Sequence, residues 1–505
     1  METEIKKKEQ TMMCAENLKI NEMRDKKINS QTTRETSGIT LIALVVTIVV
    51  LLILAGITIS LVFSENGIIA KAKEAAEKAN QAAINEQRQM NEVAGYLDNM
   101  LNEIGGNTPP EEPTLPSDGS YSEEKGVNTP NLGEGMTPIK WDETKKDWVE
   151  TYGSDPEWYN YGETESTRKW ANAKTSDGSM WVWIPRYAYQ IADNYHTNSA
   201  TGGTIEIKFL KDSSNVAYDG TSTWDNVSGQ GKWNVHPAFN YGQEVSGLWV
   251  AKFEASSKEG NSNNSGDNVT TKTLQVKPGV SSWRNIEIGN MYTVCKNYNS
   301  ILNSHMMKND EWGAVAYLSK SKYGKENEEL WINNSSSFIT GSAGNNAIAN
   351  ADVGTTTDYT STQGVKASTT GTVYGVYDMS GGAHEYVAAY VDNGNSNLTK
   401  YGSSLVNGES KTKNMYSKGS TDNRENNYST NSGKYGDAVY ETSANGNSNN
   451  SSWYNDYSPF PYTSDPFFGR GGDYSIGMIT GAFCFGSSSG EKVGHYSFRP
   501  VLVAI

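Results

Sequence analysis

Three cysteines and five histidines carry most of the nucleophilic and metal-ligating capacity of this 505-residue chain. Cys14, Cys295 and Cys484 show neither a CxxC pair nor the Cys/His spacing of a zinc site. A Cys295–Cys484 bridge is compatible with a location outside the cell, although distance along the chain does not decide approach in space. His196, His236, His305, His384 and His495 place no two rings on one helical face, so neither a metal centre nor another cofactor is expected. His384 and Glu385 are adjacent and have the chemistry of an acid–base pair. The alternative for them is structural, a staple between loops.

A site of any kind needs elements to hold it. A chain of this length exceeds one hydrophobic core, so at least two structural units are expected. The formal net charge of −15 argues against nucleic acid, whose phosphates need a basic surface. Tyrosine (29) and tryptophan (13) are plentiful, while Leu, Ile and Val thin out after residue 105. That balance predicts a loop-rich unit with aromatic packing and aromatic recognition surfaces.

From Ile39 to Phe63 no residue is charged, and at about 1.5 Å per residue this stretch crosses a ~30 Å hydrocarbon core as a helix. Basic residues before it, including Lys6, Lys7, Lys8, Arg24 and Arg34, orient the N-terminus to the cytoplasm and everything after Phe63 to the outside. Residues 64–104 are rich in Ala, Glu, Lys and Gln, with Met90, Val93, Leu97, Met100, Leu101 and Ile104 on one stripe, which predicts a stalk helix. Gly105 and Gly106 end it, and a Pro-rich linker over 105–120 leads to a head over 121–505. The reading is thus a single-pass cell-membrane protein with an extracellular head.

The segment Gly38-Ile39-Thr40-Leu41-Ile42-Ala43-Leu44 resembles a type IV prepilin leader. The resemblance implies that a prepilin peptidase removes residues 1–38 and that Ile39 becomes the N-methylated first residue of a membrane helix over 39–63. It implies other pilins as partners, and incorporation in a surface filament. The family's glutamate at the fifth mature position is Ala43 here, which favours a minor or tip subunit over a bulk one.

Within the head, short aromatic runs at 181–184, 204–210, 247–253 and 498–503 read as strands, and 305–318 reads as a helix, giving an α+β unit. Polar tracts at 256–272, 393–434 and 443–452 read as surface insertions unable to order themselves. Four segments in order resemble the formylglycine-generating-enzyme-like (sulfatase-modifying factor) branch of the C-type lectin fold. They are Trp181-Val182-Trp183-Ile184-Pro185, the run 308–317, Val376-Tyr377-Asp378-Met379-Ser380-Gly381-Gly382, and Arg470-Gly471-Gly472-Asp473-Tyr474 with Phe498-Arg499-Pro500-Val501. The family's two copper cysteines fall on Ile476 and Gly481, neither of which ligates copper, so a formylglycine-generating oxidase is the weaker alternative. Cys484 then reads as a small buried apolar residue. The asparagine of the family's calcium loop is Gly382, which leaves calcium without that ligand.

The last forty residues are also similar to the variable region of proteins diversified by retroelements. That resemblance implies a frame of Gly471, Gly472, Gly481, Phe498 and Arg499, and a ligand-contacting set of Tyr474, Ser475, Ile476, Met478, Ile479, His495 and Tyr496. The competing reading makes Ile476, Met478 and Ile479 core residues. The expected function is that of an adhesin or receptor for an extracellular protein or glycan.

Overall fold

The run Met-Trp-Val-Trp-Ile-Pro at 180–185 has no polar face, and a strand of that kind must be covered on both sides. In the computed structural model, which describes residues 118–260, 267–346 and 354–505, every residue of strand Met180–Pro185 is buried. So is every residue of its antiparallel neighbour Gly247–Ala251. Trp183 lies opposite Trp249, with ring centroids 5.3 Å apart. A Cβ on Gly247 would come within 2.3 Å of the Trp183 indole, so only glycine lets the ring lie there. The expected leader, membrane helix and stalk over 1–104, and the linker up to residue 117, lie outside the described residues. Among the described residues no helix is long and apolar enough to cross a membrane.

These two strands are central to a seven-stranded antiparallel sheet. Its order is His305–Met306, Pro500–Leu502, Gly247–Ala251, Met180–Pro185, Asn172–Thr175, Met136–Asp142 and Asp147–Glu150. A second, mixed sheet is built on His384–Asp392. This strand pairs in parallel with Asn414–Ser417 and with Tyr496–Phe498, and antiparallel with Phe467–Arg470, beyond which lies Phe485–Ser488. The expected strand at 204–210 forms as Ile205–Phe209, paired with Tyr187–Ile191. The result is a sheet-rich α+β unit whose core is aromatic, with Trp158, Trp170, Trp181, Trp183, Trp249, Trp283, Trp312 and Trp453 all fully buried.

Three expectations need correction. The single strand expected over 498–503 is two short ones, Tyr496–Phe498 in the mixed sheet and Pro500–Leu502 in the seven-stranded sheet, with Arg499 at the crossing. The helix expected from residue 305 begins at Asn309. His305 and Met306 pair instead with the strand Pro500–Leu502, and the Glu311 carboxylate accepts the Lys308 N–H at 2.8 Å, which caps the helix there. The tracts at 393–434 and 443–452 are ordered. Amide side chains do what apolar burial cannot: Asn427, with no exposed surface, accepts the Gly419 N–H and donates to Asp422 and Pro461, while Asn431 exchanges two hydrogen bonds with the Ser417 backbone. At the third tract Ser443 bridges to Ser452, whose hydroxyl donates to the carbonyls of Thr442 and Phe483.

Cys295, on helix Ile288–Tyr298, and Cys484 are both buried and unbridged. Burial pushes both thiols well above their ordinary range.

Candidate functional site

Strands Phe467–Arg470 and Phe485–Ser488 are antiparallel neighbours joined by residues 471–484, which form a strap at the end of the pair where Arg470 lies opposite Phe485. The strap begins on two glycines with φ of 78° and 68°, a conformation that a side chain resists. A Cβ on Gly472 would also lie 3.0 Å from Thr480 Cα, where the strap folds back on itself. Inside that fold, Asp473 Oδ1 accepts the Ser475 N–H at 2.7 Å, and the Thr480 hydroxyl donates to the Asp473 carbonyl at 3.2 Å. Arg470, fully buried over the Trp312 ring, donates to Asn309 and to the carbonyls of Asp437, Ala438 and Ala482, and so ties the start of the strap to its far end.

The side chains that this frame presents divide sharply. Met478 is 57% exposed, Ser475 and His495 are exposed, and Tyr474, Ile476 and Ile479 are half-buried. Tyr496 is not presented at all: it is 7% exposed, stacked on His384 at 5.0 Å and packed on Tyr386 at 4.3 Å, so it belongs to the frame. The frame residues Gly471, Gly472, Gly481, Phe498 and Arg499 are all buried. The alternative that Ile476, Met478 and Ile479 are core does not hold for Met478.

Two buried residues distant in sequence support the face from beneath Tyr474. The Phe338 ring meets Tyr474 edge-on at 4.9 Å, and the Arg284 guanidinium lies 4.0 Å from the centre of the Phe338 ring while donating to the Gly494 carbonyl at 2.5 Å. No local pattern marks Arg284 or Phe338 in the sequence, because only tertiary packing brings them beside Tyr474.

His384 and Glu385 are not an acid–base pair, since neighbours on a strand point to opposite faces. Glu385 is held by Arg499, while His384 lies with Nε2 3.8 Å from Asp473 Oδ2 and its ring centroid 6.1 Å from that of His495. Burial pulls the His384 imidazole down to about 4, helped by His495 and opposed by Asp473, so His384 is neutral at physiological pH. Glu385 is pushed up to about 7 by burial against the pull of Arg499. Glu254 is raised well above the usual carboxyl range by burial and by the neighbouring Asp378 and Glu385.

At Gly382, φ is +71° and a Cβ would lie 2.5 Å from Glu254 Oε1, which accepts the Ala383 N–H at 2.8 Å. The Glu254 carboxyl therefore fills the space that a side chain at residue 382 would need. His196 is half-buried against Tyr440, and His236 and His305 are buried far from the strap in sequence. Among the described residues no group of three or more His, Cys, Asp or Glu is placed to hold a metal. Two cavities of about 330 and 320 Å³ are lined around Asp177 and Tyr298 and around Lys208 and Trp233 respectively. No residue of the strap lines either one, so its exposed side chains form a face and not a pocket.

Comparison with protein-family models and with curated proteins gives no match. Among solved structures, a Major Tropism Determinant M1 variant is similar at 12% identity and a TM-score of 0.25, covering 74% of this chain and 75% of that one. A TM-score that low assigns neither fold nor function.

Proposed function

We propose that the chain is a membrane-tethered, pilin-like surface protein whose C-type-lectin-like head binds an extracellular protein or glycan, without catalysis, through Tyr474, Ser475, Ile476, Met478, Ile479 and His495. The observation that carries this reading is the contrast within one strap. Its ends are locked by buried Arg470, Gly471, Gly472 and Gly481, while Met478 and Ser475 stand in solvent, as does His495. Side chains held on a rigid frame lose little entropy on binding, and a face without a cavity suits a macromolecular partner better than a small molecule.

Ile476 and Gly481 at the positions of the copper cysteines support binding over thiol oxidation. The lectin-like scaffold is supported by the ordered motifs from Trp181 to Val501, and the tether by the prepilin-like segment at Gly38. Ala43 favours a minor or tip position if the chain enters a filament.

The test is to probe arrayed glycans and arrayed surface proteins with the full-length chain and with Met478→Ser and His495→Ser variants. At least one array feature bound by the parent should be lost in both variants at unchanged melting temperature. Identical profiles in parent and variants would remove the face from the reading.

A further inference from the structure

Two of the polar tracts that the sequence sets apart as insertions meet at a cavity of about 230 Å³, lined by Asn423, Arg424, Glu425, Asn447 and Tyr462. Arg424 differs there from the other arginines of the described residues. Arg168, Arg186, Arg284, Arg470 and Arg499 each donate hydrogen bonds to carbonyls or carboxylates. Arg424 makes neither a hydrogen bond nor an ion pair with the described residues, in a chain where 58 acidic residues face 43 basic ones. Its Nε has almost no exposed surface and no acceptor, and its guanidinium lies 4.5 Å from the centre of the Tyr462 ring, which sets the plane of the fork. The Asp465 carboxyl feels this charge but stands beyond ion-pair distance.

Amide and carboxylate side chains fix the frame around this arginine. Asp422 Oδ1 accepts both the Asn427 Nδ2 at 2.8 Å and the Thr463 N–H at 3.1 Å, and the Pro461 carbonyl accepts from the same Asn427 at 3.1 Å. The turn that carries Tyr462 is thereby tied to helix Arg424–Thr430. Asn393 Nδ2 adds a bond to the Thr463 carbonyl at 2.8 Å. At the start of the helix Asn423 Oδ1 accepts the Asn426 N–H at 2.8 Å and the Asn426 Nδ2 at 3.0 Å, which commits the oxygen and leaves the Asn423 Nδ2 to face outward as a donor without a partner among the described residues. The exposed Asn447 spends only its backbone N–H, on Asn445 Oδ1 at 3.0 Å. A cation and two amides held in place with donors to spare are preorganised for an anion.

We propose that Arg424, Asn423, Asn447 and Tyr462 form a binding site for a carboxylated sugar, a uronic or sialic acid residue, with its carboxylate on the Arg424 fork and its hydroxyls on the two amides and on Glu425. A planar guanidinium matches a carboxylate through two parallel hydrogen bonds. The Glu425 carboxylate in the lining accepts hydroxyl donors and repels a second negative charge, which disfavours a phosphate dianion. The cavity has room for one sugar ring, and its lining offers partners for hydroxyls where a peptide side chain would need an apolar wall; the Tyr462 ring is covered on one face by Arg424 itself. No residue of 471–484 lines this cavity, so the site is separate from the face on the strap and does not rest on the reading of that face.

The experiment is an NMR titration at low salt that reads the resonances of free D-glucuronate, D-galacturonate and N-acetylneuraminate in the presence of the full-length chain. At least one of the three should bind saturably, and D-glucose should not. Arg424→Gln and Arg424→Lys should each weaken that binding by about tenfold or more, the second because a point charge replaces the fork. Met478→Ser, on the strap, should leave it unchanged. Because Arg424 is half-buried and holds no hydrogen bond, both of its variants should keep the parent's melting temperature, which separates lost binding from lost folding. Absence of saturable binding by all three sugar acids, binding unchanged in Arg424→Gln, or acetate or inorganic phosphate binding as tightly as the sugar acids would overturn the assignment.

Discussion

Glu385 grips Arg499 through two hydrogen bonds, Nε to Oε2 at 3.0 Å and Nη2 to Oε1 at 2.5 Å, at the residue where the chain leaves one sheet for the other. The same guanidinium donates to the carbonyls of Ala251 and Tyr377, so one side chain knits the seven-stranded sheet to the mixed one. Both partners are buried to within 1% of full exclusion.

Removing Glu385 strands the buried Arg499 charge, and removing Arg499 leaves a buried carboxyl without its donors. Glu385→Gln and Arg499→Met should each destabilise the head by about 3–5 kcal/mol, and the double variant by less than the sum of the two. Chemical denaturation of the four proteins checks this, and strict additivity would contradict the pairing.

Acid should act through buried histidines. Burial holds His384 near 4 and His236 near 3, both below the ordinary 6.5, so between those values the unfolded chain binds protons that the folded chain does not. Stability from each is intact above pH 6.5 and is lost as pH falls toward 4. For His384 the loss is on the order of 3 kcal/mol, at about 1.4 kcal/mol per pH unit of that window. His384→Phe should therefore flatten the parent's decline between pH 6.5 and 4, read as the difference in denaturation midpoints across pH.

Gly472→Ala meets a positive φ and a close backbone, and should cost about 1–2 kcal/mol or more while loosening the strap. The readout is a lower melting temperature together with faster proteolytic cleavage within 473–481. Met478→Ser, by contrast, should stay within about 0.5 kcal/mol of the parent, as exposed positions do.

The buried thiols should resist chemistry. In the native protein, peptide mapping after treatment with a thiol-specific alkylating reagent should find Cys295 and Cys484 unmodified, and both should react once the chain is denatured. A disulfide-linked peptide containing both residues would contradict their separation.

How much of this could be read beforehand depended on where the cause lay. Strands Met180–Pro185 and Gly247–Ala251 were legible because their burial is written in consecutive apolar residues. The order in the Asn- and Ser-rich tract at 393–434 was not, because amide side chains closing on distant backbone leave no periodicity to read. At the strap, Gly471 and Gly472 were placed in the frame by resemblance, and their positive φ came only with the structure. The burial of Tyr496 came from a parallel pairing with His384–Asp392 that local sequence does not encode. Helix Asn309–Lys320 was expected four residues early, since His305 and Met306 carry apolar spacing but are claimed by the strand Pro500–Leu502.

The slot that Pro500–Leu502 fills, between Gly247–Ala251 and His305–Met306, sets a timetable for synthesis. Those two flanking strands leave the ribosome some two hundred residues before the piece that joins them, and until it arrives their edges stand bare in the aqueous phase. A nascent chain must therefore be kept from pairing with a neighbour through about the second half of its translation, and a stop codon shortly after residue 498 would release a molecule with Trp249 and His305 still lacking their shared partner.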